Sequence, residues 1–185
     1  MELIAIRHGE TEYNKEKRAM GSRIDVSLTE QGREQAREKI TELVKYGFSA
    51  IYASPLLRTR ETAEIINAEL GLPISFHEEL KERDVGTLSG MLYDDIGEKL
   101  GEAAISSTQY DFREFEGENT GDVHARIRSF IEMVESKHSE KEFILVVTHA
   151  EVIRVLYGEF ASQVSENISN VCVHDFGTDK TKHNH

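Results

Sequence analysis

Leu3-Ile4-Ala5-Ile6, an apolar run near the start of the chain, is followed at once by Arg7-His8-Gly9-Glu10-Thr11. The run is short, continuous and contains two isoleucines, which predicts a strand buried on both faces of a sheet. The change from apolar to charged residues in a single step indicates that the strand ends at Arg7. The sequence near the start of the chain therefore predicts a buried strand with a basic end.

Two further apolar runs have the same character, namely Ala50-Ile51-Tyr52-Ala53 and Phe143-Ile144-Leu145-Val146-Val147. Between the runs, apolar residues recur at helical spacing in three segments: Ala36, Ile40, Leu43 and Val44; Ala63, Ile66 and Leu70; Val123, Ile127, Phe130, Ile131 and Val134. Buried strands that alternate with amphipathic helices predict an α/β fold with a mostly parallel sheet. Val171-Cys172-Val173 predicts a late edge strand.

The length of 185 residues fits one domain, which we assign to residues 1–176. Residues 84–119 are rich in glycine and acids and predict an excursion above the sheet, where functional loops often lie. Residues 177–185 are polar and predict a flexible tail.

The composition excludes several function classes. Lys and Arg number 22 against 34 Asp and Glu, so the net charge of −12 repels nucleic acid, and a phosphorylated substrate needs locally concentrated positive charge. The single Cys172 excludes an intrachain disulfide and a multi-cysteine zinc site. Because we find neither a signal-like segment nor an apolar run of about 18–20 residues, we expect no membrane contact and a cytoplasmic location.

Basic residues follow all three apolar runs. Arg7 and His8 follow the first run, Arg58 follows the second closely, and His149 follows the third. Because ligands of open parallel sheets bind beyond the carboxyl ends of the strands, we expect these four side chains to meet at one rim. Ser54-Pro55 predicts the N-cap and first turn of a helix, with Arg58 in its opening turns, an arrangement that suits phosphate.

An ordered set of motifs along most of the chain resembles the histidine phosphatase superfamily, also called the phosphoglycerate mutase-like family. The set comprises Arg7-His8-Gly9-Glu10-Thr11 with Asn14, Gly21, Asp25, Leu28-Thr29 and Gly32; Ser54-Pro55-Leu56 with Arg58; Leu80-Lys81-Glu82 with Gly86 and Gly90; Gly117-Glu118 before Arg126; and Thr148-His149. The resemblance implies a three-layer αβα sandwich.

The resemblance also assigns roles to individual residues. His8 is implied to be the nucleophile that becomes phosphorylated, and Glu82 to be the general acid and base. Three residues are implied to hold the phosphoryl oxygens: Arg7, Arg58 and His149. Three more complete the substrate-binding set: Asn14, Gly21 and Arg83. The family chemistry implies no metal and no cofactor, and its partners are a small phosphorylated substrate and inorganic phosphate.

Elementary chemistry supports these roles. A nucleophilic imidazole must be neutral, and the neighbouring Arg7 and Arg58 disfavour protonation of His8. Fixed cationic donors stabilise the charge that spreads over the phosphoryl oxygens in the transition state. The leaving alkoxide needs a proton, and general acid catalysis by Glu82 would contribute about 10²–10⁴ in rate.

Two reactions and one non-catalytic function remain open. Glu82-Arg83 resembles the mutase version of the segment, in which the arginine contacts a substrate carboxylate, whereas Val85 and Tyr93 replace residues expected in a mutase. We favour a phosphatase over a 2,3-bisphosphoglycerate-dependent phosphoglycerate mutase, and either over a phosphate-binding domain without turnover. Glu151 stands where the family usually has glycine; it would weaken phosphate binding if it pointed inward.

Overall fold

The computed structural model describes residues 1–101, 110–160 and 168–176. The prediction of a flexible tail at 177–185 and part of the predicted excursion at 84–119 lie outside these ranges. The assignment of residues 1–176 to one domain stays a prediction.

Five strands form one sheet in the order β3-β2-β4-β1-β5. Their bounds are Glu2–Arg7 (β1), Ala50–Ala53 (β2), Ile74–Phe76 (β3), Phe143–Thr148 (β4) and Val173–Phe176 (β5). The first four strands are parallel, and β5 pairs antiparallel with β1 at the edge. The three apolar runs are therefore confirmed as β1, β2 and β4, at the centre of a mostly parallel sheet.

The predicted helical stripes fall within helices except for Val44, which lies in the 3₁₀ turn Val44–Tyr46 and is 43% exposed, so its place in the apolar stripe was wrongly predicted. The helices are Glu12–Lys15 (α1), Glu30–Leu43 (α2), Leu57–Leu70 (α3), Tyr93–Leu100 (α4), Thr120–Lys137 (α5) and Ala150–Phe160 (α6). Alternate residues of β1 point to opposite faces, so that Ile4 and Ile6 pack with α2 and α3 while Leu3 and Ala5 pack with α5 and α6. The three-layer αβα sandwich is confirmed, and each fully buried isoleucine contributes about 1.5–3 kcal/mol through removal of its side chain from water.

The late edge strand lies two residues beyond its predicted start. It begins at Val173, whereas Val171 adopts a φ of 48° and donates its backbone N–H to Arg7 O at 3.1 Å. Because this bond draws the chain into a turn before the strand begins, Val171 and Cys172 were wrongly included in the strand. The strand β3 was missed because it has three residues and half-exposed side chains.

The described part of the excursion has structure of its own. Two 3₁₀ turns, Gly86–Leu88 and Phe112–Phe115, flank α4 in the chain. A small apolar cluster separate from the two main cores holds this region together; its buried members are Ala19, Leu88, Ile96 and Phe112. The described part of the excursion is therefore a packed cap and not a plain loop.

No helix within the described residues is long and apolar enough to cross a bilayer.

Candidate active site

Three strands deliver their carboxyl ends to one rim of the sheet. The backbone N–H of His8 donates to Thr148 O at 3.0 Å, and that of Ser54 donates to Val147 O at 3.0 Å, so the parallel pairing continues one residue past the strands. The rings of His8 and His149 lie 5.2 Å apart between centroids at an angle of 62°. His149 Nε2 is 2.8 Å from Ser54 Oγ. The predicted meeting of side chains at this rim is thus seen in the structure.

His8 is held as a neutral imidazole with one free nitrogen. Its Nδ1 lies 2.7 Å from Gly9 O, and because a carbonyl can only accept, Nδ1 carries the proton. Burial, followed by the charges of Arg58 and Arg7, lowers the pKa of His8 well below its usual value. The lone pair of Nε2 is therefore available to attack an electrophile.

The loop that carries His8 is fixed by a close approach of two glycines. A Cβ on Gly9 would lie 2.4 Å from Gly32 O, and a Cβ on Gly32 would lie 2.2 Å from Glu10 O. The Gly9 N–H donates to Thr62 Oγ1 at 3.1 Å, and the Glu10 carboxylate accepts from Thr29 Oγ1 at 2.9 Å. Glu10 thus ties the loop to the start of α2, in agreement with a structural role.

The helix that carries Arg58 begins at a different residue from the one predicted. The N-cap residue is Leu56, whose side chain cannot accept a hydrogen bond, and Leu57 is the first helical residue. The cap is supplied from a distant segment, because Asp25 Oδ1 accepts from Leu57 N at 2.6 Å. Ser54 as N-cap was therefore wrong; its hydroxyl contacts His149 instead. Arg58 nevertheless lies in the opening turn of α3, as predicted.

Arg58 is a fully buried cation that forms no ion pair with a carboxylate in the described part of the chain. Its two terminal nitrogens donate to Gly21 O at 2.9 Å and to Ile24 O at 2.8 Å. Burial lowers the pKa of Arg58 to about 10, opposed by the negative charges of Glu82 and Asp25. Gly21, with a φ of 55°, contributes to the site by presenting its carbonyl to Arg58; its contact with substrate stays a prediction.

Three buried nitrogen atoms at this rim have no hydrogen-bond partner within the part of the chain that the structure describes. They are Arg7 Nε, Arg58 Nε and His149 Nδ1. Arg7 is anchored by Nη1, which donates to Ile168 O at 2.9 Å, and burial lowers the pKa of Arg7 and that of His149. Unpaired buried donors cost folding free energy, and an oxyanion would satisfy them. The set fits a phosphoryl group beside His8.

Glu82 lies on an irregular segment held by side chains from elsewhere. Thr148 Oγ1 donates to Leu80 O at 2.8 Å, and Arg126 Nη1 donates to Lys81 O at 2.7 Å. Arg126 is itself paired with Glu118 at 3.0 Å. A cavity of about 210 Å³ is lined by Glu82 together with Glu118 and Arg126. Glu82 thus borders this cavity, and its charge also acts on Arg58.

Glu151 points inward and lies beside Glu82. Its backbone N–H donates to Glu82 Oε1 at 3.3 Å, and the residue is only 5% exposed. Its carboxylate pairs with Arg154 at 3.2 Å and lies 3.6 Å from Arg83. Burial, with the Glu82 charge in support, raises the pKa of Glu151 against the opposing effect of the two arginines. Arg83 as a substrate contact stays a prediction, since Glu151 already partners it.

Asn14 acts first as a local cap. Its Oδ1 accepts from Thr11 N at 3.1 Å in the capping box of α1 and also from Asn170 Nδ2 at 3.3 Å. Asn170 donates to His8 O at 2.9 Å as well, so it joins Asn14 to the His8 loop. Sequence reasoning missed Asn170, since no local pattern marks it. The role of Asn14 beside phosphate stays a prediction.

Tyr93 is a second residue that sequence reasoning did not place in the site. Although it is 41% exposed, burial of its hydroxyl and the charge of Glu82 raise its pKa, and Arg7 and Arg58 are close enough to oppose the shift. Its hydroxyl therefore lies close enough to these charged groups to interact with them. The available signal was that Tyr93 replaces a residue expected in a mutase.

Sequence comparison gives a consistent assignment. Residues 3–182 match the model of the histidine phosphatase superfamily (branch 1). A 2,3-bisphosphoglycerate-dependent phosphoglycerate mutase of Parvibaculum lavamentivorans is 36% identical over 162 residues, which cover 83% of this chain and 77% of that protein. Phosphoserine phosphatase 1 of Hydrogenobacter thermophilus is 34% identical over 159 residues, covering 85% of this chain and 74% of that protein.

Solved structures agree with the sequence relatives. A mycobacterial glucosyl-3-phosphoglycerate phosphatase complexed with VO3 superposes with a TM-score of 0.83 at 25% identity and covers 94% of this chain and 91% of its own. A phosphoglycerate mutase of Bacillus anthracis gives a TM-score of 0.84 at 25% identity, with coverage of 95% and 86%. Both phosphatases and mutases thus share this fold.

Proposed function

The chain belongs to the histidine phosphatase superfamily, and from that premise we propose that it is a phosphomonoester phosphatase with His8 as its nucleophile. One observation carries the proposal: His8 keeps its proton on Nδ1, bound to Gly9 O, beside buried cationic donors that have spare hydrogen-bonding capacity. A neutral imidazole nitrogen in a cationic pocket is suited to attack a phosphoryl group and poorly suited to most other tasks.

The first half of the reaction transfers the phosphoryl group to the enzyme. His8 Nε2 forms a bond to phosphorus while the bond from phosphorus to the ester oxygen breaks. Arg7, Arg58 and His149 donate to the phosphoryl oxygens, where negative charge develops. The Glu82 carboxyl gives its proton to the leaving oxygen, which departs as an alcohol. The products of this half are phosphohistidine and a Glu82 carboxylate.

The second half restores the enzyme. A water molecule loses a proton to the Glu82 carboxylate and attacks phosphorus, and the bond from phosphorus to His8 Nε2 breaks. Inorganic phosphate leaves, with Glu82 protonated again. The chemistry draws on side chains alone, so we propose activity without a metal or cofactor. We also propose a cytoplasmic location and small phosphorylated metabolites as the partners, with neither nucleic acid nor membrane involved.

A second candidate is the mutase reaction, in which a second substrate oxygen replaces water. The mutase relative at 36% identity and the position of Arg83 directly after Glu82 favour it. Val85 and Tyr93 in place of the residues expected in a mutase favour the phosphatase, as does the pairing of Arg83 with Glu151.

The test is to assay the protein in EDTA with p-nitrophenyl phosphate, and in parallel with 3-phosphoglycerate plus 2,3-bisphosphoglycerate. We expect phosphate release with the first substrate and formation of an acid-labile phosphoprotein, both abolished in His8→Ala. His124→Ala is the matched control, since His124 lies on α5 and pairs with Glu159 away from the pocket. Isomerisation of phosphoglycerate without net phosphate release would establish the mutase. Inertness in both assays with no phosphoprotein would refute either enzyme.

A further inference from the structure

Glu151 occupies an unusual place for a carboxylate. It is the second residue of α6, two residues after His149, and its side chain is 7% exposed while that of its partner Arg154 is 41% exposed. Helix pairs three residues apart are normally solvated on a surface. The Glu151 side chain is instead buried next to Glu82, whose Oε1 accepts from the Glu151 backbone N–H at 3.3 Å. Glu151 therefore belongs to the active-site wall.

The surroundings of Glu151 are incompletely satisfied. Its Oε1 accepts no hydrogen bond in the described residues, although Arg83 Nη1 lies 3.6 Å away. Arg83 is itself fixed, since its guanidinium lies over the Phe112 ring at 4.7 Å and is 9% exposed. A buried carboxylate with a free oxygen lowers stability, which argues against a purely structural reason for keeping it.

The charges next to Glu82 reveal what Glu151 changes. Arg83 and Arg154 contribute two positive charges, and Glu82 and Glu151 contribute two negative charges when ionised. Without Glu151 the net charge of the wall beside Glu82 would be more positive by one. Such a wall attracts an anionic leaving group more strongly than the wall as built does.

We propose that Glu151 is a specificity residue that takes the place of a substrate carboxylate and selects phosphomonoesters of uncharged alcohols. The inference rests on the proposed function, because the alcohol part of the substrate must lie beside the acid Glu82. Polyol and sugar phosphates fit this class. Substrates with a carboxylate close to the ester oxygen are disfavoured, because Glu151 repels them and already neutralises Arg83 and Arg154.

The test compares glycerol 3-phosphate with 3-phosphoglycerate. The first has a hydroxymethyl group where the second has a carboxylate. In Glu151→Gln we expect kcat/KM for 3-phosphoglycerate to rise relative to that for glycerol 3-phosphate by about tenfold, the effect of removing one partly screened charge. The gain should lie mainly in KM. p-Nitrophenyl phosphate, which has no carboxylate, is the reference substrate, so that a general effect of the substitution on catalysis can be divided out of the comparison.

Glu159→Gln is the matched control, because it removes the same charge from the same helix about 12 Å further along, at 1.5 Å per residue. Its partners are His124 and Arg128, so the substrate ratio should not change. An unchanged ratio in Glu151→Gln with activity retained would overturn the proposal, as would an equal change in both variants.

Binding distinguishes failure of this inference from failure of the proposed function. Calorimetric titration of His8→Ala with the two phosphate esters needs no turnover, and adding Glu151→Gln should strengthen binding of 3-phosphoglycerate selectively by about tenfold. Selective strengthening, together with no hydrolysis of any phosphate ester by the protein with His8 intact, would support the specificity role and refute the phosphatase. If His8→Ala binds 3-phosphoglycerate equally well with and without Glu151→Gln, the specificity role is refuted.

Discussion

The phosphate side and the acid side of the site are built in different ways. On the phosphate side His8, Arg58 and His149 follow regular strands or open a helix, and each is at most 1% exposed. On the acid side Glu82 lies on an irregular segment that Arg126 and Thr148 hold by hydrogen bonds to its carbonyls. The residues proposed to bind phosphate thus lie on the strands of the core and on α3, whereas the proposed acid lies outside the regular elements.

Both sides nevertheless depend on a close approach of two backbone segments. Gly9 and Gly32 meet on the phosphate side, and Gly86 and Gly117 meet on the acid side, where a Cβ on Gly86 would lie 1.7 Å from Phe115 O. Gly86 also has a φ of 62°, which disfavours other residues. The difference between the two sides therefore lies in their side chains and not in the tightness of their backbones.

The largest expected effect separates the two sides by chemistry. Glu82→Gln removes the proton donor, so kcat/KM should fall by about 10²–10⁴ for an alkyl phosphate and by less for p-nitrophenyl phosphate, whose leaving group needs little protonation. Steady-state assays with a series of leaving groups measure this. Glu79→Gln, three residues earlier in the same charged segment, is the control. Equal losses across the series would refute the role of Glu82 as the acid.

Arg58→Lys should weaken the phosphate side alike for every substrate. Lysine cannot reproduce the bonds to Gly21 and Ile24 together with a free donor, so we expect a loss of about 10²–10³ in kcat/KM that is independent of the leaving group. Arg60→Lys on the same helix is the control, since Arg60 lies over Phe76 away from the pocket. If the loss of kcat/KM in Arg58→Lys depended on the leaving group, the phosphate side and the acid side would not act independently.

Gly32→Ala tests whether the phosphate side relies on its backbone contact. The new Cβ would lie 2.2 Å from Glu10 O, so we expect the free energy of unfolding to fall by about 1–3 kcal/mol. Urea unfolding measures the change. Gly158→Ala is the opposite case, because its Cβ would meet only His124 at 3.6 Å, and a helical alanine should stabilise by about 0.5–1 kcal/mol. Similar stabilities for the two variants would contradict the contact.

The smallest effect is a pH dependence of opposite sign on the two sides. The pKa values of His8 and His149 are lowered by burial, so the unfolded chain binds more protons, and stability should fall as the pH drops below about 6.5. The pKa of Glu151 is raised, so its contribution increases as the pH falls toward the ordinary glutamate value.

Urea unfolding between pH 7.5 and 4.5 measures these opposing contributions. A pKa difference of one unit corresponds to about 1.4 kcal/mol. His149→Asn should flatten the loss of stability on acidification, and Glu151→Gln should steepen it. Slopes that match the unmodified protein in both variants would show that neither group is coupled to folding.

The parts of the molecule that could be predicted from sequence are those fixed by local pattern. The runs that became β1, β2 and β4 are apolar and are followed within a few residues by arginine or histidine, so both the sheet and the cationic rim were foreseeable. The true cap of α3 was not, because Asp25 reaches Leu57 from 32 residues away. Asn170 reaches His8 from 162 residues away, and the inward turn of Glu151 depends on Arg83. Such contacts leave no signal in neighbouring residues.

The position of β1 has a consequence for biosynthesis. Its two neighbours in the sheet are β4 and β5, both near the other end of the chain. A nascent chain therefore emerges from the ribosome with Leu3–Ile6 unpaired until most of the protein has been made, which exposes this segment to chaperones and to aggregation. His8 likewise has no partner for its backbone N–H until Thr148 is synthesised. A nascent chain that has not reached Thr148 should thus carry His8 without the rest of the rim.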